Sequence, residues 1–379
     1  MIKTDCIHFP LDRPCVFHKK RAVKCSNCGK YAPIRKSPAK KKILIIKLNA
    51  MGDVLRTTFL LPGLKIKFPK SDITWITDAV SVPILENNPR VDRVLPFDKN
   101  IFKYLAANRF DHVINLDLSP ESLSLAGLAL SRNKIGFMLD NSRKILCSNT
   151  AAKHWLEMSA FDDVKKKNRK TYQYWMSKIA GLKRADYEIY TPLVRSSVLK
   201  AKTFARKHGL AGKTVIGINP GAGKRWKLKK WTDRGSIAVI KNLASRGFKV
   251  VLYGGCEEKE LIASLIRRSG RKAISAGTGN SITDFFALLG LCDVVITGDT
   301  LALHAGLGLK KKVIGIFGPT SSAEIEMYKR GIKVVTPKNC ACCYLQKCDK
   351  KPSCMDMIKP EAILKAVHAL LEGRRKKEE

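Results

Sequence analysis

Apolar residues along this chain fall into short dense runs, separated by stretches with helical periodicity. The first run, Lys42-Ile-Leu-Ile-Ile-Lys-Leu48, is nearly continuous and rich in β-branched residues. That pattern predicts a strand buried on both faces of a parallel sheet. It gives way to Asn49-Ala-Met-Gly52 and then to Asp53–Leu64, whose apolar positions recur near the 3.6-residue period of a helix. Further strands are predicted at Ile73–Thr77, Val91–Pro96 and His112–Leu116, with helices at Phe102–Arg109 and Ser119–Ser131. The alternation resumes after the polar stretch near Tyr190–Ser197. Strands are expected at Thr214–Asn219, Lys249–Tyr253, Ala273–Ser275, Asp293–Thr297 and Lys312–Phe317. Between them lie helical patterns at Trp231–Ser245, Glu257–Arg268, Ser281–Leu291 and Leu301–Gly308, preceded by one at Val198–His208.

Strands alternating with helices specify an α/β architecture of parallel sheets covered on both faces. At 379 residues the chain exceeds the size at which one core keeps growing. We therefore expect two Rossmann-like doubly wound domains facing a cleft, over residues 41–195 and 196–379. Residues 1–40 read as a separate Cys-rich element and linker. Ligands bind such sheets beyond the C-terminal strand ends, which gathers loops 49–53, 219–226, 254–258 and 298–304 around the cleft.

Charge adds a second property. The chain carries 71 Lys and Arg against 32 Asp and Glu, a net +39 spread along its whole length. Such a field attracts polyanions: nucleic acid, anionic lipid head groups or phosphorylated glycolipids. A solubilising basic surface accounts for it equally well. The longest apolar stretches, such as Leu123–Leu130, are far shorter than the roughly 20 residues of a membrane span. The N-terminus lacks the basic-then-apolar order of a signal peptide. A cytoplasmic protein is expected.

Twelve cysteines in a cytoplasmic chain argue for thiol chemistry or metal binding over a disulfide framework. Cys25-Ser-Asn-Cys28 has zinc-knuckle spacing, and Cys6 and Cys15 complete a set of four, with His8 and His18 as alternative ligands. A structural Zn²⁺ there would stabilise a segment too short for a core; an iron–sulfur site or free thiols are the other readings. A second cluster, Cys340, Cys342, Cys343, Cys348 and Cys354, reads as a zinc or redox site or as a compact loop of reduced thiols.

Four loops carry candidate chemistry. Asp53 stands at a strand-to-helix junction, where it fits a helix N-cap or a general base for an acceptor hydroxyl. Arg56, one turn later, fits orientation of that carboxylate or an anionic acceptor. Asn219-Pro-Gly-Ala-Gly-Lys224-Arg225-Trp226 is not a Walker A loop, because Ile218 and Arg225 stand where that motif needs Gly and Ser/Thr. It offers backbone N–H groups and cations to a diphosphate, or is a basic surface loop; Lys227, Lys229 and Lys230 read as solvated or acceptor-facing. Thr297-Gly-Asp299-Thr300-Leu301-Ala302-Leu-His304 again joins a strand to a helix. Its free N–H groups at Thr300, Leu301 and Ala302 suit an anion, while Asp299 suits sugar hydroxyls or the cap. His304 fits a core or a catalytic role. In Gly254-Gly-Cys-Glu257-Glu258, Glu258 suits ribose hydroxyls or simply the helix start.

Together these segments resemble glycosyltransferase family 9, the ADP-heptose:lipopolysaccharide heptosyltransferases. The resemblance spans about residues 42–370. It is carried by Asn49-Ala-Met-Gly-Asp-Val54, Asn219-Pro-Gly-Ala with Lys224-Arg-Trp226…Trp231, Gly298-Asp-Thr-Leu-Ala-Leu-His304 and Phe317-Gly-Pro-Thr320. It implies the GT-B fold and an inverting, metal-independent transfer, with no cofactor for catalysis and a nucleotide-sugar site mainly in the C-terminal domain. By the same resemblance Asp53 matches the general base and Lys224 the lysine on the donor diphosphate. Glu258 falls near the adenosine-ribose acid. Asp299 matches an acid on the donor sugar, beside backbone donors at Thr300–Ala302 and His304. Leu301-Ala302-Leu303 departs from the family, which usually has Gly and often Pro or Met before the His.

The expected activity is therefore transfer of a heptose or related sugar from a nucleotide diphosphate sugar, ADP-heptose first among them. The expected acceptor is a lipopolysaccharide core or another anionic envelope glycolipid, reached by peripheral contact with the inner membrane face. Two rival readings are a zinc-containing nucleic-acid-binding protein and a GT-B sugar-nucleotide epimerase. The first is disfavoured because no strand interleaves aromatic residues for RNA recognition.

Overall fold

A computed structural model describes residues 1–6, 8–10, 13–33, 41–223 and 226–378, with side chains through residue 372. The chain divides into two compact units, Met1–Lys41 and Lys42–Glu379. The small unit holds a helix over Val16–Arg21 and a 3₁₀ turn over Cys25–Asn27. An isolated antiparallel bridge joins Cys6 to Pro33, and the Tyr31 hydroxyl donates to Asp5 at 2.7 Å. Neither of its helical segments buries a residue.

The large unit carries two six-stranded sheets. In the first, β1 (Lys42–Ile46), β2 (Asp72–Thr77), β3 (Arg93–Pro96), β4 (His112–Asn115), β5 (Asn133–Leu139) and β6 (Ile145–Cys147) lie in the order β3-β2-β1-β4-β5-β6. Only β6 runs antiparallel to its neighbour. The second comprises β7 (Val215–Asn219), β8 (Lys249–Leu252), β9 (Ile274–Ser275), β10 (Val294–Gly298), β11 (Lys312–Phe317) and β12 (Gly331–Val335), ordered β12-β11-β10-β7-β8-β9 and parallel throughout. Counted from its own first strand, each sheet has the order 3-2-1-4-5-6. That is the doubly wound topology, whose switch point lies between the first and fourth strands. The expected α/β fold of two Rossmann-like halves around a cleft is what the chain adopts.

The central strands behave as their sequences require. Ile43, Leu44, Ile45 and Ile46 are all buried, matching a strand covered on both faces. The helix expected over Asp53–Leu64 is broken into Met51–Thr57 and Leu60–Lys67. The break falls at Thr58, whose hydroxyl donates to Leu55 O at 2.7 Å and accepts from Tyr190 N at 3.0 Å. The second helix restarts with Pro62 in its first turn, where a missing N–H is tolerated.

The two halves share a core. Leu55 and Ile84 of the first half pack in one cluster with Leu303, Leu307 and Phe317 of the second. Helix Leu301–Gly308 approaches helix Met51–Thr57 so closely that a Cβ on Gly52 would stand 3.2 Å from His304 Cδ2. At the far end of the 301–308 helix, a Cβ on Gly308 would stand 2.2 Å from Thr191 Oγ1 and 3.0 Å from Ile189 Cγ2. Thr191 and Ile189 are themselves buried, so neither can swing aside. Gly308→Ala should therefore destabilise the fold by about 1–3 kcal/mol; an unchanged urea midpoint would show that this seam is loose.

Candidate functional site

A cavity of about 860 Å³ opens at the C-terminal strand ends and is lined from both halves. Its size is that of a ligand pocket for a small organic molecule. The first half contributes the loop after β1, including Gly52, Asp53 and Arg56, and Asp117 after β4. The second contributes Gly221–Gly223 after β7, Glu258 after β8 and Asp299–Ala302 with His304 after β10. These are the two switch points of the two sheets, so topology alone delivers the loops to one place.

Asp53 lies in the first turn of helix Met51–Thr57, and Ala50 is the N-cap residue. The helix-cap reading of Asp53 is thus corrected: the chain enters the helix two residues earlier than its apolar pattern suggests. Its carboxylate instead pairs with Arg56, Oδ1 to Nη2 at 2.9 Å. Burial opposes its charge, but Arg56, Lys47 and His304 outweigh burial and hold its pKa below the ordinary carboxylate value. Arg56 is nearly buried, with 11% of its side chain exposed, and its guanidinium stacks on Tyr172 at 3.7 Å from the ring centre. That stacking fixes the cation that fixes Asp53.

Across the cavity, Asp299 bonds Lys229 Nζ at 2.8 Å, and the same Nζ also donates to Asp299 O at 3.1 Å. Lys229, expected to be solvated or acceptor-facing, is instead the half-buried partner of Asp299 (16% and 17% exposed side chains). Burial opposes ionisation of Asp299, yet Lys229, His304 and Arg56 bring its pKa down to about 2. Asp299 does not cap the following helix. Thr300 does, its hydroxyl accepting from Ala302 N at 3.2 Å, so the Ala302 N–H expected to be free is already satisfied. The N–H groups of Thr300 and Leu301 remain at the cavity wall as the helix-end donors for an anion.

His304 is buried, with Nε2 at 4.0 Å from Asp299 Oδ1. Burial, then Arg56, lowers its pKa to about 4 despite the two nearby aspartates; at neutral pH the ring is uncharged. Glu258 accepts from Gly223 N at 3.2 Å and Gly255 N at 2.9 Å. A Cβ on Gly221 would stand 2.3 Å from its Cγ. The carboxylate thus ties the loop after β7 to the loop after β8 while still facing the cavity. Lys224 and Arg225 lie outside the described residues, and their neighbours Gly223 and Trp226 line the cavity.

The structure adds residues that the sequence did not single out. Lys47 is 5% exposed; its Nζ lies 3.1 Å from Asp117 Oδ2 and donates to Asn49 O at 2.6 Å. It therefore holds the loop that presents Asp53. A lysine inside the otherwise apolar run 42–48 was the available signal. Glu324 and Tyr344 form a third wall: the Tyr344 hydroxyl donates to Glu324 Oε1 at 3.3 Å and accepts from Ser321 N at 3.1 Å. Burial pushes the Glu324 carboxyl above its usual range, with Asp299 and Asp53 adding to the effect and Arg56 and Lys165 opposing it. No periodicity marks either residue.

Cys6, Cys15, Cys25 and Cys28 are half-buried free thiols. Among the described residues, no three His, Cys, Asp or Glu side chains are arranged as the ligands of a metal ion. No helix among them is long and apolar enough to cross a membrane.

A family model described as glycosyltransferase family 9 (heptosyltransferase) matches residues 99–354. Lipopolysaccharide heptosyltransferase 1 of Campylobacter coli is 25% identical over 345 residues, which cover 87% of this chain and 98% of that protein. The match to lipooligosaccharide heptosyltransferase 2 of Campylobacter jejuni is 27% identical over 173 residues and spans only 52% of that relative's length. Among solved structures, a family 9 glycosyl transferase from Veillonella parvula superposes with a TM-score of 0.69 at 21% identity, covering 88% of this chain and 97% of the other. A heptosyltransferase from Escherichia coli, solved with ADP, gives 0.58 at 18% identity over 87% and 98%. At these identities the superpositions establish the fold.

The electrostatics of the cavity make one expectation direct. His304 has a folded-state pKa below its ordinary 6.5, so the stability its neutral form contributes is present at neutral pH. That contribution is lost as the pH falls from about 6.5 towards about 4. By NMR the ring should titrate near pH 4, and a midpoint at or above 6.5 would contradict the buried, uncharged assignment.

Proposed function

This chain belongs to glycosyltransferase family 9, the heptosyltransferases, and we propose that it moves a heptose or related sugar from a nucleotide diphosphate sugar to an envelope glycolipid. ADP-heptose is the donor of choice and a lipopolysaccharide core the acceptor. The observation that carries this reading is the single cavity holding an ionised Asp53 from one half opposite the helix start at Thr300–Leu301 from the other. The first can accept a proton; the second can hold a diphosphate.

In this reading an acceptor hydroxyl donates its proton to the Asp53 oxygen not engaged by Arg56 as the hydroxyl oxygen attacks the anomeric carbon. The bond from that carbon to the nucleotide diphosphate breaks on the opposite face, inverting the configuration. Arg56 keeps Asp53 ionised and aimed, and contributes positive charge towards an anionic acceptor. Charge growing on the departing diphosphate is met by the N–H groups of Thr300 and Leu301 and by Lys224. No protein acid is required, because the diphosphate leaves as an anion. Glu258 is assigned to the ribose hydroxyls and Asp299 to the donor sugar, with Lys229 holding its charge. His304, neutral and packed on Gly52, positions the two helices. Closure of the cavity limits hydrolysis of the donor by water.

The net charge of +39 supports peripheral docking of a cytoplasmic enzyme on an anionic inner-leaflet surface. We extend the reading to a structural Zn²⁺ on Cys6, Cys15, Cys25 and Cys28, motivated by the Cys25-x-x-Cys28 spacing. The catalytic steps do not use it.

Asp53→Asn preserves shape and removes the base. It should retain donor affinity and lose transfer by at least about 100-fold; transfer at the wild-type rate would remove Asp53 from this role. For the N-terminal site, zinc content should fall by about one equivalent in Cys25→Ser, and equal zinc in variant and wild type would withdraw that assignment.

A further inference from the structure

Acids that line the cleft are matched to cations, with one departure. Asp53 stands 2.9 Å from Arg56, Asp117 3.1 Å from Lys47 and Asp299 2.8 Å from Lys229. Glu324 lines the same cavity and is half-buried, but it is matched to a phenol: its Oε1 accepts from the Tyr344 hydroxyl at 3.3 Å. The transfer described above gives it no part.

Both halves fix the position of this carboxyl. Glu324 lies in the loop after β11, yet Tyr172 N, at the start of helix Tyr172–Ile179 in the first half, donates to its backbone O at 2.9 Å. Tyr172 is also the ring on which Arg56 stacks. One backbone hydrogen bond therefore ties Glu324 to the platform beneath the cation that holds Asp53. The next residue, Ile325, is buried in the core that the halves share. At the side-chain end Tyr344 is held as well. Its hydroxyl accepts from Ser321 N at 3.1 Å, and Lys165 Nζ stands 4.3 Å from its ring centre. Such a carboxyl is preorganised at backbone and side chain alike.

The charges acting on Glu324 show what it faces. They are those of Arg56, Asp299, Lys165 and Asp53, and three of these four surround the point of transfer. Two carboxylates nearby make a phosphate an unfavourable partner, and two cations nearby do the same for an ammonium group. Neutral hydroxyls remain. Burial, with Asp299 and Asp53, favours the uncharged carboxyl, which presents one donor and one acceptor together. A sugar hydroxyl offers the complementary pair.

We propose that Glu324 is a specificity-determining residue of the transfer site, whose carboxyl hydrogen-bonds a hydroxyl of one of the two sugars that meet between Asp53 and Asp299. The proposal rests on the sugar-transfer reading above and adds to it a contact that selects the sugar. Glu324 moves no proton and forms no covalent bond. A sugar lacking that hydroxyl would leave the carboxyl desolvated and unpaired, and would be rejected for that reason.

The test uses the full chain with ADP-heptose and a heptose-deficient core acceptor. Glu324→Ala should raise KM for one of the two substrates by about 10-fold and leave ADP affinity unchanged. Glu324→Gln, which keeps a donor and an acceptor, should recover most of that loss. Glu326→Gln is the control on the same loop, since Glu326 bonds Tyr328 N, and should match wild type. The substrate whose KM moves identifies the source of the hydroxyl, donor or acceptor. Monodeoxy analogues of that sugar give a readout that a purely structural role would not move. One of them should cost wild type about 10-fold and cost Glu324→Ala nothing further. Glu324→Asp, one methylene shorter, covers the case in which Glu324→Ala does not fold, and should show the same rise in KM. Unmoved KM values in the folded variant would remove the Glu324 assignment alone, as would analogues that penalise variant and wild type equally. No product from wild type would overturn the sugar-transfer reading and this proposal with it.

Discussion

Two helices from different halves meet at Gly52, and the chemistry of the cleft follows from how near they come. Helix Met51–Thr57 carries Asp53 and Arg56, while helix Leu301–Gly308 begins at Thr300 and carries His304. With no side chain at Gly52, the edge of His304 and the backbone of Leu301 lie directly against it. Leu55 and Leu303 continue the same contact into a shared core. An ionised carboxylate and a helix N-terminus, presented by separate sheets, are thereby fixed across one cavity. The packing is apolar and the consequence electrostatic.

That closeness puts several charges into a partly desolvated space, where each unmatched one would be costly. The chain answers with pairs: Lys47 with Asp117, Arg56 with Asp53, Lys229 with Asp299. In each pair the opposite charge counters burial, so that Asp53 and Asp299 remain ionised. For His304 the nearby Asp299 and Asp53 do not outweigh burial and Arg56, and it stays neutral. Glu324 is the exception among the acids, pushed towards its protonated form, its side chain accepting from the Tyr344 hydroxyl. The cleft therefore presents fixed dipoles and matched ions, the preorganised environment in which a developing anion is stabilised without rearrangement.

Much of this was legible in the sequence, for reasons that can be named. The apolar run at Lys42–Leu48 and its counterparts in the second half announced buried parallel strands, and doubly wound topology then located the site loops. Strands β5, β6 and β12 were not legible. Asn133–Leu139 opens on two polar residues and is interrupted by Gly136, which lies at φ 92°, and β12 is a half-exposed edge. The Asp299–Lys229 pair joins residues 70 positions apart, and no periodicity encodes such a partner. Asp53 was placed at the strand-to-helix junction that lines the cavity, but whether it capped the helix depended on where the backbone turned, and the cap falls three residues earlier, at Ala50. Lys47 could have been found, since a buried strand has no reason to carry a lysine unless a carboxylate awaits it.

The cleft is proposed to perform an inverting sugar transfer. Its most direct test is the anomeric configuration, read by NMR, of the product formed from ADP-heptose and a heptose-deficient core acceptor. The new glycosidic bond is expected to have the configuration opposite to that of the donor, with nucleoside diphosphate released in equal amount. A linkage of retained configuration, or donor epimerised without any need for acceptor, would contradict it.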